Sequence, residues 1–421
     1  MDLRIANLSP TFFAIAAILT GLSIALGVLP GGMIGAFALT IIVGGLFAFV
    51  GDHTPIVKNY LGGAPLVCVF GAAALVYYRV LPEPTIANVT TFMTDGGFLS
   101  FYIAALITGS ILGMDAKLLT RAGVRYVFPL VGGVLCAMIV TSLVGALLYT
   151  GWRNALLYVC FPIIGGGMGA GAVPMSEIVS SMSPDVDAAS ALSKFVPALA
   201  LGNILAIVFA GLLNRLGELR PQWTGNGVLM KGFVVEREEV RDHSVEDLGV
   251  GLLAACLFFI AGRVAGHFIP AIHSYALTII LVAVLKISGI VPTRIEQACA
   301  GWYKFVVTNF TPALLIGIGI AFTDLNQVLQ TVSPKFFVVV FSAVFSITLS
   351  SGYIGTRVGF HFVEAALTSG LGMADMGGTG DVAVLSAAKR MELMPFMQIS
   401  SRLGGALILV LVSILAATLL S

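Results

Sequence analysis

The chain has 421 residues, of which 58% are hydrophobic and 10% charged, with a formal net charge of +1 and a mean hydropathy of +1.02. A charged share far below the roughly 25% of soluble domains leaves no water-soluble core able to absorb the apolar side chains, so the bilayer is the solvent to argue from. With only 22 basic residues the chain carries no electrostatic footprint for nucleic acid.

In chain order, the start MDLR lacks a multiply charged leader, and the first apolar run exceeds the ~7 to 15 residues of a signal core, so it is expected to stay as an uncleaved span. A spanning helix needs ~20 mostly apolar residues. Eleven runs fit: 11–29, 32–50, 63–81, 98–114, 127–149, 189–213, 248–266, 274–291, 305–322, 336–354 and 395–420. Two further apolar stretches, about 156–179 and 362–385, are broken by glycines and read as re-entrant hairpins. Residues 214–247, the only long polar segment, carry Glu236, Arg237, Glu238 and Glu239 and read as a solvated cytoplasmic linker. The cysteines Cys68, Cys136, Cys160, Cys256 and Cys299 show no paired metal-ligand spacing and read as small core residues.

With the N-terminus in the cytoplasm, the outer connections receive only Arg79, Arg153, Arg263 and Lys335, and Lys194, Lys286 and Arg402 fall in or near apolar runs. The other basic residues, Arg390 among them, face inward, which satisfies the positive-inside bias and puts the C-terminus outside. In this orientation the two glycine-broken stretches enter from opposite sides and meet near mid-membrane. Opposite entry marks an inverted repeat. The motifs Gly166-Gly167-Met168-Gly169 and Gly377-Gly378-Thr379-Gly380 support it, each followed by small residues and an apolar helix. The expected fold is an all-α polytopic membrane protein with an N-terminal segment and first span at 1–31. A first repeat follows at 32–213, then the linker at 214–247 and a second repeat at 248–421.

Backbone that leaves the helix inside a membrane exposes N–H and C=O groups at several kcal/mol each unless protein or cavity water satisfies them. Glycine suits such a tip, because it admits positive φ and a close backbone approach. Freed amides and half-helix N-termini favour an anion, and unwound carbonyls favour a cation. Close packing of small residues between helices is the plainer reading of one such motif; two copies in matching positions favour a site. Arg402, in SSRLGG, either snorkels or binds a carboxylate bidentately, and its small polar neighbours favour binding. Asp381 either caps a helix or partners a cation, and Glu177 with Ser176 invites the same pair of readings. Asn203 lies mid-helix after the first turn, as an interhelical hydrogen-bonding residue or a ligand. Glu364, His361 and Asp375 receive no role, and Asn88-Val89-Thr90 is a sequon match of little weight.

The stretches FPIIGGGMGAGAVPMSE at 161–177, GGTGD at 377–381 and QISSRLGG at 398–405 resemble those of the 2-hydroxycarboxylate transporter family, bacterial symporters of citrate, malate and related acids. The resemblance covers nearly the whole chain. It implies a small carboxylate substrate held by Arg402 with Ser401 beside it, and glycine turns (Gly167, Met168 and Gly169; Gly378, Thr379 and Gly380) lining the substrate and sodium sites. A monovalent cation, sodium or a proton, would be the coupling ion, with no cofactor. It further implies a homodimer in the bacterial cytoplasmic membrane, in which the hairpin-bearing domain moves against a fixed one. Two positions depart from the sodium-citrate pattern: Met376 stands where an arginine is expected, and Met168 where an asparagine is. Losing a cation and an amide favours a dicarboxylate such as malate over citrate.

A membrane subunit of a sodium-pumping decarboxylase is the alternative from another class, since it too needs intramembrane acids and broken helices. A stand-alone enzyme is disfavoured, because the chain has no His-Glu-x-x-His, Gly-x-Ser-x-Gly or phosphate-loop motif.

Overall fold

Backbone polar groups in apolar surroundings must pair within their own segment, so long apolar runs are driven into helices. The computed structural model describes residues 4–420 apart from 7, 56, 58–63, 114–115, 149–150, 184, 231–243 and 271. Among these every named element is helical, with one isolated bridge between Ile5 and Leu8.

The first half comprises α1 (Pro10–Ala25), α2 (Met33–His53), α3 (Ala64–Tyr77), α4 (Glu83–Met93), α5 (Phe98–Leu112) and α6 (Ala116–Leu148). A broken segment, α7 (Val173–Met182) and α8 (Ala188–Leu219) complete it. The second half comprises α9 (Val245–Phe268), α10 (Ser274–Ser288), α11 (Thr293–Ala321), α12 (Leu325–Thr331) and α13 (Pro334–Arg357). After a second broken segment come α14 (Gly378–Ala387), α15 (Met394–Ile399) and α16 (Gly405–Leu420). Among the described residues eight helical stretches are long and apolar enough to cross a membrane, and the expected runs at 11–29, 63–81 and 274–291 coincide with shorter apolar helices.

Several starts follow from their caps. Asp187 accepts the Ser190 amide at 2.7 Å ahead of α8, and Ser333 accepts the Phe336 amide at 3.2 Å ahead of α13. The run at 189–213 is exceeded because Asn214, Arg215 and Glu218 continue α8 as a helix after apolarity has ended.

The helices sort into two bundles. One holds α2, α3, α4, α5, α9, α10 and α11; the other holds α6, α7, α8, α13, α14 and α16 with both broken segments. Each half of the chain thus contributes to both bundles. Small residues permit the close approaches: a Cβ on Gly109 would collide with Tyr303 between α5 and α11, and one on Gly133 with Ser351 between α6 and α13. Ser351 Oγ donates to Pro129 O at 3.0 Å, binding α13 to α6. Element starts also recur at one spacing. Thr293 follows Glu83, Phe362 follows Trp152 and Ala366 follows Leu156, each by 210 residues (293 less 83, 362 less 152, 366 less 156).

Three readings from the sequence need adjusting. Residues 214–219 belong to α8, and Thr224, Gly225 and Gly227 fold back to donate to Glu364, so the near end of the polar segment is packed; residues 231–243, with Glu236, Arg237, Glu238 and Glu239, lie outside the described residues. Arg390 is 5% exposed. It pairs with Glu364 at 3.1 Å and donates to Asn214 Oδ1 at 2.6 Å. Finally, only Cys68, Cys160 and Cys299 are buried, whereas Cys136 is half-buried and Cys256 is exposed on α9 among outward-facing Leu253, Leu257 and Ile260.

Candidate functional site

The broken segments are built alike. In the first, helical pieces Trp152–Ala155, Leu156–Cys160 and Phe161–Ile163 give way to a turn before the chain restarts at Met168; in the second, Phe362–Ala365, Ala366–Leu371 and Gly372–Ala374 give way before Gly378. Wide π-helical turns lie on the approach to each, at Leu156–Cys160 and Ala366–Leu371, a distortion frequent at functional sites. Gly167 (φ 96°) and Gly377 (φ 75°) each precede the restarted helix in a conformation that L side chains rarely adopt. The turns touch backbone to backbone. A Cβ on Gly167 would lie 2.5 Å from the Met376 carbonyl oxygen, and one on Gly166 would lie 2.5 Å from that of Ser401.

A buried polar cluster surrounds this junction. Asn203 Oδ1, from α8, accepts the Met376 amide at 3.1 Å, and Asp375 Oδ1 accepts the Gly377 amide at 2.8 Å. Ser401 Oγ donates to Asp381 Oδ2 at 3.2 Å, and the carboxyls of Asp375 and Asp381 stand within hydrogen-bonding reach of each other. Asn203 Nδ2, Asp375 Oδ2 and Asp381 Oδ1 are buried without a hydrogen-bonding partner of opposite character. Buried polar atoms are normally satisfied, and two carboxyls facing each other in apolar surroundings favour a proton or cation between them. Among the described residues no group of three His, Cys, Asp or Glu side chains is placed to hold a metal ion.

Beside the cluster lies a cavity of about 160 Å³ at the interface of the two bundles. Ile103, Leu106, Ile107 and Ser110 of α5 and Tyr303 of α11 line one side, and Gly166, Gly377, Asp381, Gln398, Ser401 and Arg402 line the other. Among the described residues Arg402 is the one positively charged side chain in the lining, and its Cζ stands 5.1 Å from the centre of the Tyr303 ring. A guanidinium beside hydroxyls and an amide, faced by an apolar wall, can take a small carboxylate and turn its less polar part to α5.

Residues 5–414 match the 2-hydroxycarboxylate transporter family. The chain belongs to that family. It is 36% identical, over 98% of its length and 94% of the relative's, to the citrate transporter CitP of Leuconostoc mesenteroides subsp. mesenteroides. It is 38% identical to the Na(+)-malate symporter of Bacillus subtilis (strain 168), over 90% of this chain and 85% of that one. The citrate/malate-proton symporter of the same organism is 34% identical over 88% of this chain and 83% of its own length. Members of the 2-hydroxycarboxylate transporter family are transporters, so this chain is a multi-pass membrane transporter and not an enzyme, and the decarboxylase-subunit reading is set aside. The cations in the symporter names are sodium and the proton, with no cofactor.

Of the residues singled out from the sequence, Asp381, Ser401 and Arg402 line the cavity of this family member. Gly167 forms the contact between turns, and Gly380 abuts Asp375 and Asn203, where a Cβ would stand 2.9 Å and 3.0 Å from them. Met168 is buried, while Gly169 faces Leu314 and Tyr102 of the first bundle. The backbone of Gly378 and Thr379 opens α14, and the Thr379 side chain lies outside the described residues. Ser176 Oγ is turned to the Val173 carbonyl at 2.7 Å, and Glu177 is half-buried on α7 away from the cavity lining. Sequence reasoning named Gly166 and Gln398 only within their motifs and gave Asp375 no role, and it missed Ser110 and Tyr303. Asp375, two residues before Gly377, carried a signal in its depth within an apolar stretch. Tyr303 carried none, because its place depends on how α11 packs against α5.

Proposed function

We propose that this protein is a secondary active transporter that moves a 2-hydroxy di- or tricarboxylate, malate in preference to citrate, coupled to sodium or protons. The observation that carries the reading is that Arg402 and Asp381 face one cavity between two bundles. Arg402 and Ser401 hold a substrate carboxylate, with Gly167, Met168 and Gly169 and Gly378, Thr379 and Gly380 as the surrounding turns. Asp381 serves the cation, with Asn203, Ser176 and Glu177 as further coupling residues. The preference for malate is supported by Arg402 as the single cation among the described lining residues and by Met376, 8% exposed, where a second arginine would be needed for a third carboxylate.

The 210-residue recurrence of element starts supports two repeats, 32–213 and 248–421, and the contact between the glycine turns supports their entry as re-entrant hairpins from opposite faces, for eleven spans in all. The site sits at the border of two bundles, the arrangement needed if one bundle carries it across the membrane past the other in an elevator-type motion. We place the N-terminus in the cytoplasm of a bacterium and the working unit as a homodimer, the latter from the family resemblance. The test is uptake of labelled malate, citrate and lactate into liposomes holding only this chain, with sodium or proton gradients imposed. Accumulation of malate against its gradient, faster than citrate, is expected; folded protein that accumulates no 2-hydroxy acid under either gradient sinks the reading.

A further inference from the structure

We propose that Tyr303 is a positioning residue that keeps the Arg402 guanidinium available to a substrate carboxylate and out of a salt bridge with Asp381, an inference that rests on the transporter reading above. Arg402 and Asp381 line the same small cavity and attract each other electrostatically. In surroundings of low dielectric such an attraction is strong. Pairing would silence both sites at once, removing the anion's partner and the cation's ligand together.

That pair is nevertheless not made. The ion pairs among the described residues are Lys286–Glu296, Arg294–Asp247 and Arg390–Glu364. Asp381 instead receives the Ser401 hydroxyl on Oδ2 and has the Asp375 carboxyl beside it, while Arg402 lies over the Tyr303 ring at 5.1 Å, inside the ~6 Å range of a cation–π contact. The ring is a fixed platform, because α11 is seated against Gly109 of α5, where any side chain would collide with Tyr303. An aromatic face attracts a guanidinium without consuming its N–H donors, so the fork that grips a carboxylate stays open. Tyr303 also belongs to the bundle that does not carry the glycine turns. Arg402 therefore has this support only while the bundles stand in register, and leaves it when one slides.

Malate binding to the purified full chain in detergent, by titration calorimetry, tests this. Tyr303→Leu is expected to raise the Kd for malate roughly tenfold with an unchanged melting temperature, and Tyr303→Phe to restore most of the affinity. In an Asp381→Asn background the penalty of Tyr303→Leu should shrink, because no carboxylate remains to capture Arg402. Should Tyr303→Leu fold poorly, Tyr303→Met, of similar reach and without a ring, is read in the same way. Wild-type affinity in the ringless variants, a Tyr303→Phe as weak as Tyr303→Leu, or an undiminished penalty beside Asp381→Asn each overturns the proposal. A wild-type chain that binds neither malate nor citrate overturns the transporter reading itself, a result distinguishable because it precedes any Tyr303 variant.

Discussion

The carboxamide oxygen of Asn203 accepts the backbone amide of Met376 at 3.1 Å, so a helix of the first half closes the glycine turn of the second. Asn203→Ala leaves a buried N–H unpaired and should cost about 1–3 kcal/mol. Unfolding in detergent measures it, and a loss indistinguishable from zero means that the turn holds without Asn203.

Gly167→Ala forces a Cβ to within 2.5 Å of the Met376 carbonyl oxygen at a φ of 96°. Uptake should vanish while the protein still inserts into the membrane and migrates as wild type in size-exclusion chromatography. Normal uptake would mean that the two turns need not touch during transport.

Removing the guanidinium by Arg402→Ala should weaken malate binding about 10- to 100-fold, the range expected for hydrogen bonds to a charged group. Arg402→Lys keeps the charge but loses the bidentate fork, and is expected to fall between. Wild-type affinity in Arg402→Ala would return that side chain to a snorkelling role.

Asp381→Asn keeps the size of the side chain and its bond to Ser401 while removing the charge. The response of uptake to an imposed sodium or proton gradient should flatten before stability declines. Unchanged gradient dependence would reduce Asp381 to a residue of the first turn of α14.

Glu364 accepts Thr224 Oγ1 at 2.7 Å, the amides of Gly225 and Gly227, and Arg390 Nε at 3.1 Å. Glu364→Ala strands Arg390 as a buried charge and should destabilise the protein by roughly 3–5 kcal/mol. Thermal unfolding shows whether it does; a shift no larger than that of a surface variant would mean that water reaches Arg390.

Much of this architecture was legible beforehand. Apolar runs of spanning length located the helices, since nothing else in the sequence can hide so much hydrocarbon, and the paired glycine motifs located the junction. Asp381 and Arg402 drew attention because charge is costly in apolar stretches, and Ser401 through the family resemblance. What escaped depends on contacts across the chain. Tyr303 looks like any interfacial aromatic until Gly109 brings α5 and α11 together, and Arg390 counts as a loop charge until Glu364, 26 residues earlier, is seen to bury it. The segment around Thr224 reads as solvated because glycine and polar residues conceal its role as a set of donors to Glu364.

The reciprocal bracing of the two turns carries an evolutionary consequence. Gly166 rests on Ser401 and Gly405, and Met376 on Asn203, so the surface against which each half was selected is the other half. Neither half could therefore drift alone. A bulkier residue at one seam must be answered by a smaller one opposite, and related chains are expected to change at these positions in matched pairs.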